Sequence, residues 1–428
     1  MVSFSASLKH VKEHLDQCLP AFVILNICRQ VGHTWRKCPL TPDVTIHLLL
    51  VQILSRVGLR GLRHAGGTDT CFQAIGKARQ RLPGQVFAAL LEHSLPKDFS
   101  LGSFYKGFKT YLADGMSFLV EDTVKLAKNY GKATNQKGTS KGYPTPKLLT
   151  LLEAGSAFIA KAIILPYAKQ ECTCLWRLFK KMAPRSLLMG DRALVSFALL
   201  AMLTAQGHHG CFRLSRDKVL RGRGKGHRKL IKRLGRQDLL VRWTATRPRW
   251  LGWRRWKQMK DQSLELRQIA FRITRKGYRT HWAWIITTLT DPVAYPAAEL
   301  IELYSQRWQI EVHFRDLKCT LKMKKISART VAGVQKEVMA FVLLYNLIRQ
   351  VMAQAAQNQG VSPDRISFTD AALWLLWAPP GSPLAELAVN PKRRRKSHPR
   401  AIKKGRHRFA QLKQSRATAC KPPCIVKL

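Results

Sequence analysis

The sequence predicts an α/β protein in which a sheet with helical crossovers follows a helical N-terminal region. Three observations lead to this prediction. Up to about residue 110, apolar positions recur at helical spacing. Beyond Met116, short apolar runs end in acidic residues, and ligand sites of such sheets lie at the carboxyl ends of the strands. A stretch from Tyr304 to Lys318 then has helical periodicity, with charged residues along one edge.

The composition limits the class of protein and indicates what kind of partner it binds. The chain has 428 residues, of which 46% are hydrophobic, so it can bury sizeable cores and is not a disordered chain. Its 74 Lys and Arg face only 25 Asp and Glu, giving a net charge of +49. Such a surplus favours binding to nucleic acid. An anionic membrane surface is the alternative, but the basic residues are spread along the chain and not confined to one amphipathic helix.

The sequence shows neither a typical targeting signal nor a typical metal-binding cysteine pattern. The first residues lack the basic and apolar pattern of a signal peptide. The apolar stretch Ile46–Leu54 is too short to span a bilayer, so we expect a soluble, cytosolic protein. The ten cysteines show no recurring C-x-x-C pairs and predict free thiols, and a metal or a disulfide at Cys420 and Cys424 is the alternative. No phosphate-binding G-x-x-x-x-G-K-[ST] motif occurs, which argues against ATP-driven work.

The N-terminal region is predicted to be helical and to contact DNA. Apolar periodicity indicates helices over residues 11–28, 44–57, 71–82 and 86–93. Lys77, Arg79 and Arg81 make one of these helices basic. Short helices with a cationic face suit the major groove, and a plain helical bundle with a solvated surface is the alternative.

Two apolar runs that end in acids are predicted strands of one sheet. Ser117–Val120 stops at Glu121 and Asp122, and Ser186–Gly190 stops at Asp191. Because successive strand side chains point to opposite faces, only one of Glu121 and Asp122 can face a common site. Strands over 147–152 and 157–165, a helix over 171–182 and a helix from Ala193 complete this part. Alternatively, each aspartate simply caps the helix that follows it.

Residues 207–283 form a basic region rich in tryptophan. Trp243 and Trp250 belong to a group of tryptophans interleaved with arginines, a pattern that suits stacking on bases beside a neutralised backbone. Arg221–Lys229 adds a glycine-rich basic loop. Strands are predicted over 266–273 and 282–288. The alternative is a small β-sheet whose core is made of tryptophan.

The stretch Tyr304–Lys318 carries the most specific pattern. At about 100° per residue, four polar residues fall within about 60° of one another on a helix beside an apolar stripe. They are Tyr304, Arg307, Glu311 and Lys318. An acid among cations can hold a divalent metal while its neighbours hold phosphates. A solvated face with i,i+4 charge pairs is the alternative. A long core helix over 330–357 follows.

Three carboxylates reach one place in this scheme. Asp122 and Asp191 come from strand ends and Glu311 comes from the helix. Such an oxygen-rich site suits two Mg²⁺ ions, which can activate water or a 3′-hydroxyl and stabilise the leaving oxygen of an in-line phosphoryl displacement. The hypothesis is therefore metal-dependent phosphoryl transfer on nucleic acid.

The same residues resemble a known family. Tyr304, Arg307, Glu311 and Lys318 match the Y-(2)-R-(3)-E-(6)-K signature of bacterial insertion-sequence transposases of the IS-four family, a DDE class. Glu121-Asp122-Thr123 and Gly190-Asp191-Arg192 look like its two aspartate motifs, and a long, largely β insertion lies between the second aspartate and the glutamate. The resemblance spans roughly residues 10–355.

The resemblance implies an RNase H-like core with a β-rich insertion. It implies that Asp122, Asp191 and Glu311 are the catalytic and metal-binding triad, with two Mg²⁺ ions as cofactors and Mn²⁺ able to substitute. Tyr304, Arg307 and Lys318 would grip DNA phosphates near the cleaved end. A tryptophan such as Trp243 or Trp250 would stack on a flipped base. The motif leaves open whether a DNA hairpin forms.

The implied activity is cleavage at the element's own terminal inverted repeats and joining of the 3′ ends to target DNA. Partners are double-stranded DNA and a second copy of the chain in a homodimer, in the bacterial cytoplasm at the nucleoid. The alternatives are a regulator that binds DNA without catalysis, a structure-selective nuclease on an RNase H-like core, and a basic structural protein. The regulator would lack an acid or a cation of the signature.

Five segments are predicted. They are a helical DNA-binding region at 1–112, the core at 113–206 and 284–357, the insertion at 207–283, and a basic tail at 358–428.

Overall fold

The computed structural model describes residues 15–62, 70–96, 104–134, 140–220, 226–274, 281–379 and 382–390. The predicted basic tail beyond 390, the loop residues 221–225 and the pair Cys420 and Cys424 lie outside these residues. The described residues up to 271 and from 284 to 390 form one compact unit, and 272–274 with 281–283 belong to a second.

The described residues of the N-terminal region are largely helical, as predicted. Their helices include α1 (Ala21–Gln30), α2 (Pro42–Ser55), α3 (Phe72–Arg81) and α4 (Gly84–His93). Pro20 precedes α1 and Pro42 opens α2, at positions where a missing N–H costs nothing. Their apolar faces pack into the same core as the central sheet, so the region is joined to the rest of its unit by burial.

Strands dominate the next part of the chain. The elements are β1 (Phe104–Tyr105), β2 (Phe108–Ser117), β3 (Leu119–Val120), α5 (Val124–Tyr130), β4 (Lys132–Thr134), β5 (Ser140–Pro144), β6 (Lys147–Glu153), β7 (Ile159–Leu165), β8 (Ser186–Gly190), α6 (Phe197–Thr204) and β9 (His209–Arg213). The helix predicted over 171–182 is wrong in type. The chain makes three successive 3₁₀ turns there, beginning with Glu171–Thr173.

The predicted insertion is largely β, and helices follow it. The elements are β10 (Arg228–Gly235), β11 (Asp238–Thr244), α7 (Trp253–Lys257), β12 (Ser263–Ile273), β13 (His281–Thr287), α8 (Ala297–Ser305), α9 (Gln309–Arg315), β14 (Lys325–Ile326), α10 (Val331–Asn358) and α11 (Phe368–Trp377). A 3₁₀ turn joins α8 to α9, and a π-helical segment, Asp316–Thr320, follows α9. The predicted helix over Tyr304–Lys318 is therefore present but not uniform.

One large sheet organises these elements. Its strand order is β10-β11-β12-β13-β9-β8-β2-β6-β7, with β1 beside β2. At its centre β2 pairs in parallel with β8, and β8 pairs in parallel with β9. On the other side, β6 is antiparallel to β2 and β7 is antiparallel to β6. The α/β prediction with a central sheet is confirmed, and the insertion extends that sheet from β9 through β13.

The strand that was predicted to end at Asp122 does not belong to the central sheet. β2 begins at Phe108 and ends at Ser117. The short β3 that follows pairs in parallel with β14 in a separate two-stranded sheet. The prediction that Asp122 ends a strand of the central sheet is therefore wrong. Asp114, within β2, occupies the central strand instead.

The central sheet has a core on each face. Leu112 and Met116 of β2 lie in one core, with α9 and α10. Tyr111 and Ala113 lie in the other, with the 3₁₀ turns and α6. This alternation is the period of two expected of a strand buried on both faces. Side chains of β2 with even numbers therefore face α9 and α10.

Helix α10 is the long core helix that the sequence predicts. Within the described residues it alone has the length and composition to cross a bilayer, yet 61% of its most apolar window is buried inside the protein. Its Asn346 side chain accepts a hydrogen bond from Ile159 N at 3.0 Å and donates to Ile159 O at 3.1 Å. These two bonds satisfy the backbone N–H and C=O groups of Ile159, the first residue of β7. Buried backbone groups need such partners, so the contact is consistent with a helix in a protein core.

Candidate active site on the central strands

Two aspartates come from neighbouring parallel strands: Asp114 lies within β2, and Asp191 directly follows β8. Ala113 of β2 is paired with Gly190 of β8, so Asp114 and Asp191 are the next residues of each strand path. In-register residues of parallel strands point to the same face. Leu112 and Met189, two residues earlier on each strand, share the core on the α9 face. Both aspartates therefore belong to that face.

Arg307 connects this strand pair to the predicted metal-binding glutamate. Helix α9 packs against β2. Arg307 Nη1 donates to Asp114 Oδ2 at 3.5 Å, and Arg307 Nη2 lies 3.5 Å from Glu311 Oε1. The arginine is only 4% exposed, and its Nε has no hydrogen-bond partner among the described residues. A buried guanidinium thus lies between two acids of the site.

The acids of the site act on one another electrostatically. Burial raises the pKa of the Asp114 carboxyl, and the negative charges of Asp191 and Glu311 raise it further. The Gly115 N–H, which donates to Asp114 Oδ1 at 2.8 Å, and the Arg307 charge both lower that pKa. The site therefore concentrates negative charge that one arginine only partly compensates.

Tyr304 fixes α8 to the end of β8. Its hydroxyl donates to the Gly190 carbonyl at 3.3 Å, next to Asp191. The ring is buried, and burial raises the pKa of the phenol. Because the hydroxyl proton already has an acceptor, the contact in this structure positions a helix against a strand. The predicted contact of Tyr304 with a DNA phosphate stays a prediction.

Lys318 is not brought into contact with these acids. It lies in the π-helical segment after α9, and no hydrogen bond or ion pair of its side chain is found in the described part of the chain. The angular estimate behind its prediction assumed one regular α-helix. The 3₁₀ turn before α9 and the wider π-helical turn after it change that spacing.

Asp122 lies elsewhere. It follows β3, and its side chain is 45% exposed. Its Oδ2 forms an ion pair with Lys132, accepting a hydrogen bond from Nζ at 2.7 Å. Its neighbour Glu121 pairs with Lys325 at 3.1 Å. The structure places both acids beside the small β3–β14 sheet, because β3 joins β14 and not the central sheet. Asp122 is thus not brought together with Asp191 and Glu311 as the sequence analysis expected.

The two tryptophans predicted to bind DNA pack against apolar residues inside the protein. Trp243, on β11, is 5% exposed within the core on the 3₁₀-turn face. Trp250 is half-buried between that core and a small cluster around Leu251. A base cannot stack on the buried Trp243 ring without opening the core, so the alternative of a tryptophan core fits this residue. Trp253, 56% exposed with Arg247 over its ring at 4.7 Å, is the more accessible aromatic.

Sequence analysis missed three residues near the acids: Asp114, Glu171 and Trp308. Asp114 had a signal, because Tyr111-Leu112-Ala113 is an apolar run that stops at an acid, as Ser186–Gly190 does. Trp308 follows Arg307, is half exposed, and has the Arg307 guanidinium 5.6 Å from its ring centre. Glu171 had no such signal, since it comes near the site only through the fold.

The donor set fits divalent cations that prefer oxygen. Asp114, Asp191 and Glu311 offer carboxylate oxygens, which are the ligands of Mg²⁺ and Mn²⁺. Burial and acidic neighbours raise the pKa of the Asp114 carboxyl, and a bound cation would stabilise its carboxylate form. Within the described ranges no three acidic, histidine or cysteine side chains already form a metal cluster. Arg307 lies between two of the donors.

Comparison with known proteins places the chain in a family. Residues 107–347, more than half of the chain, match the family model described as Transposase DDE domain. The chain is 25% identical over 356 residues to "Transposase InsG for insertion sequence element IS4" of Escherichia coli (strain K12), covering 77% of this chain and 76% of that protein. It is 24% identical over 183 residues to "Putative transposase InsZ" of the same strain, covering 41% of this chain and 61% of that one.

A comparison with solved structures also gives a match to a transposase. It is the "piggyBac transposase synaptic complex with hairpin DNA", at a TM-score of 0.45 and 7% identity, covering 88% of this chain and 80% of that chain. The family match is decisive by itself. The chain belongs to the Transposase DDE domain family, and the resemblance to transposases of insertion sequences is confirmed. It is an enzyme of the class that cleaves and transfers DNA strands with divalent metal ions.

Proposed function

We propose that this transposase binds the terminal inverted repeats of its own insertion sequence, cleaves the DNA ends and joins the 3′ ends to target DNA. The catalytic and metal-binding acids in this proposal are Asp114, Asp191 and Glu311. Asp114 replaces Asp122 in this proposal because the register pair Ala113–Gly190 directly precedes Asp114 on β2 and Asp191 after β8. That adjacency is the observation on which the assignment rests.

The sheet topology supports an RNase H-like core. The order β7-β6-β2-β8-β9 has three antiparallel strands followed by two parallel ones. The acids lie at the two central strands of this order, which is where the crossovers of a parallel pair leave a crevice. The insertion then enters the same sheet from β13.

Three acids on one face would hold two divalent cations, Mg²⁺ or Mn²⁺. When bound, such cations supply Lewis acidity and an activated oxygen for in-line displacement at phosphorus. Arg307 has the complementary task. Its buried guanidinium holds Asp114 and Glu311 in place and is positioned to offset negative charge on a phosphate that enters between them. Tyr304 keeps the helix that carries these groups against the end of β8.

DNA binding would draw on the exposed basic surface. Lys77 and Arg81 of α3 are exposed, while Arg79 on the same helix is largely buried, and burial lowers its pKa to about 10. Lys318 and the exposed Trp308 flank the acids along the chain and would meet the DNA end. The net charge of +49 favours this contact with a polyanion. A homodimer on paired DNA ends, in the cytoplasm at the nucleoid, completes the proposal.

The test is cleavage of a DNA fragment that carries the flanking inverted repeats. Wild type should nick the ends with Mg²⁺ or Mn²⁺. Glu311→Gln should lose about 10³-fold or more in rate and still shift the DNA in a gel, because amide and carboxylate have similar shape but different affinity for cations. Glu302→Gln, an exposed glutamate on α8, is the matched control and should cleave normally. Equal rates for Glu311→Gln and wild type would overturn the proposal.

A further inference from the structure

Gly115 leaves a space that the carboxylate of Glu171 fills. A Cβ placed on Gly115 would overlap the Glu171 carboxylate carbon and both of its oxygens. The φ angle of Gly115 is not in the left-handed region, so backbone conformation does not require glycine here. The requirement is spatial. A glycine beside Asp114 gives a glutamate, distant in sequence, close access to β2.

The fold brings Glu171 to the acidic site from the opposite face of the sheet. Asp114 faces α9, whereas Gly115 faces the 3₁₀ turns, because successive strand side chains alternate. Glu171 opens the turn that packs against the 3₁₀ turn directly after Asp191. The pairing of β2 with β8 ends at Ala113 and Gly190, so no β8 backbone lies beside Gly115. Glu171 reaches the acids at this open edge.

Glu171 is an acidic side chain that no cation contacts in the described part of the chain. No ion pair or side-chain hydrogen bond of Glu171 occurs in the residues that the structure describes. Burial raises its pKa, and the charges of Asp114 and Asp191 raise it further, while Lys147 lowers it. Glu171 is therefore within electrostatic range of both strand acids.

An ordinary role in the 3₁₀ turn does not explain this placement. An acid in a first turn can interact with free backbone N–H groups. A three-residue turn has too few aligned backbone N–H groups for this interaction to be strong. An acid with only that role could point into water and would not need to lie against β2. Instead the carboxylate lies against Gly115, where the charges of Asp114 and Asp191 act on it. A carboxylate held there without an ion-pair partner among the described residues is suited to a cation.

We propose that Glu171 is a fourth carboxylate of the active site and binds a divalent cation together with Asp114 and Asp191. Gly115 is the opening through which it reaches that cation. The inference rests on the proposed function, since it requires that the strand acids hold metal.

The experiment measures binding of Mn²⁺ alone to the full chain by isothermal titration calorimetry, without DNA. Glu171→Gln and Gly115→Ala should each weaken Mn²⁺ binding about tenfold, as expected for one lost ligand. The double variant should bind no more weakly than either single variant, because both changes remove the same contact. Glu302→Gln and Gly84→Ala are matched controls that should bind as wild type does, since nothing lies within 4 Å of a Cβ at Gly84.

Asp191→Asn separates failure of this inference from failure of the proposed function. If Asp191→Asn weakens Mn²⁺ binding while Glu171→Gln does not, Glu171 is no ligand and the inference is overturned. If Asp191→Asn also binds as wild type does, the proposed metal site itself is overturned. Additive losses in the double variant would contradict the role of Gly115. Glu171→Asp, which keeps the charge but is shorter, should also weaken binding, so the test stands even if Gly115→Ala fails to fold.

Discussion

Asp114 and Asp122 offer a direct comparison, because each follows a short apolar run and only one lies in the central sheet. Asp114 is half-buried on β2, its Oδ2 lies 3.5 Å from Arg307 Nη1, and it directly follows Ala113, whose register partner Gly190 directly precedes Asp191. Asp122 follows β3, is half-exposed and pairs with Lys132. Local sequence makes them look alike. The partner strand distinguishes them: β8 carries a second acid to Asp114, whereas β14 brings none to Asp122.

The comparison teaches that strand pairing decides whether an acid joins a site. A carboxylate gains a catalytic role when neighbouring strands carry other donors to it, and this depends on contacts far apart in sequence. An exposed carboxylate with one lysine, by contrast, forms a surface ion pair worth little to stability.

The largest expected effect is the difference between the two aspartates themselves. Asp114→Asn should lower the rate of DNA-end cleavage by about 10³-fold or more, since loss of a metal ligand removes several kcal/mol of transition-state stabilisation. Asp122→Asn should stay within about threefold of wild type, since it loses one exposed ion pair. Rates are measured on the same inverted-repeat DNA, with DNA binding checked by gel shift. The reverse ranking would restore Asp122 to the site.

Burial also divides the tryptophans of the insertion. Trp243→Ala should lower the free energy of unfolding by about 3–5 kcal/mol, because the ring lies in the core. Trp253→Ala, at an exposed ring on α7, should change it by less than about 1 kcal/mol. Urea denaturation followed by circular dichroism measures both. A small loss for Trp243→Ala would favour the predicted role in stacking on DNA.

The π-helical segment after α9 contains a buried carboxyl with a shifted pKa. Burial raises the pKa of Asp316 from 3.8 to about 6, against the opposing charge of Arg349. Because the folded-state pKa is above the unfolded value, this group's contribution to stability is present in acid and is lost as pH rises through about 6. Relative to Asp316→Asn, wild type should lose up to about 3 kcal/mol of unfolding free energy between pH 4 and pH 7.

Urea denaturation at several pH values measures this difference. Asp261→Asn, at a side chain that is mostly exposed, is the control and should follow wild type across the range. Parallel curves for wild type and Asp316→Asn would contradict the predicted role of the buried carboxyl.

The cations paired with the two aspartates give the smallest expected difference. Arg307→Lys should lower cleavage about tenfold, near 1.4 kcal/mol, since a lysine cannot hold Asp114 and Glu311 at once. Lys132→Arg should leave the rate unchanged, because Asp122 would keep an exposed cationic partner. Equal cleavage rates for Arg307→Lys and Lys132→Arg would contradict the conclusion that Asp114 lies in the active site and Asp122 does not.

Much of the fold was predictable because local patterns determined it. The strands β6 and β7, the run Ser186–Gly190 before Asp191, and the long helix α10 all lie where periodicity placed them. Asp114 was missed because β2 continues through Gly115 to Ser117, so no turn marks the acid as a strand end. The 3₁₀ turns near Glu171 were missed because residues 171–182 have helical spacing, and packing against the sheet decides their form.

The placement of side chains was less predictable than the elements that carry them. Glu311 lies on a helix near the strand acids as expected, yet Tyr304 contacts a backbone carbonyl and Lys318 contacts none of the acids. Helical angles alone could not reveal this, because the change from α to 3₁₀ and π geometry depends on tertiary packing. The sequence around Trp243 likewise could not distinguish a buried ring from an exposed one. Its burial follows from the position of β11 in the sheet, between β10 and β12.

A change of metal preference tests most directly whether Asp114 is a metal ligand. A cysteine thiolate favours softer ions than Mg²⁺. Asp114→Cys should therefore be inactive in DNA-end cleavage with Mg²⁺ and regain measurable activity with Mn²⁺, whereas Asp122→Cys should cleave as wild type does with either ion. Full activity of Asp114→Cys in Mg²⁺, or a switch to Mn²⁺ dependence in Asp122→Cys, would contradict the assignment of Asp114 to the active site.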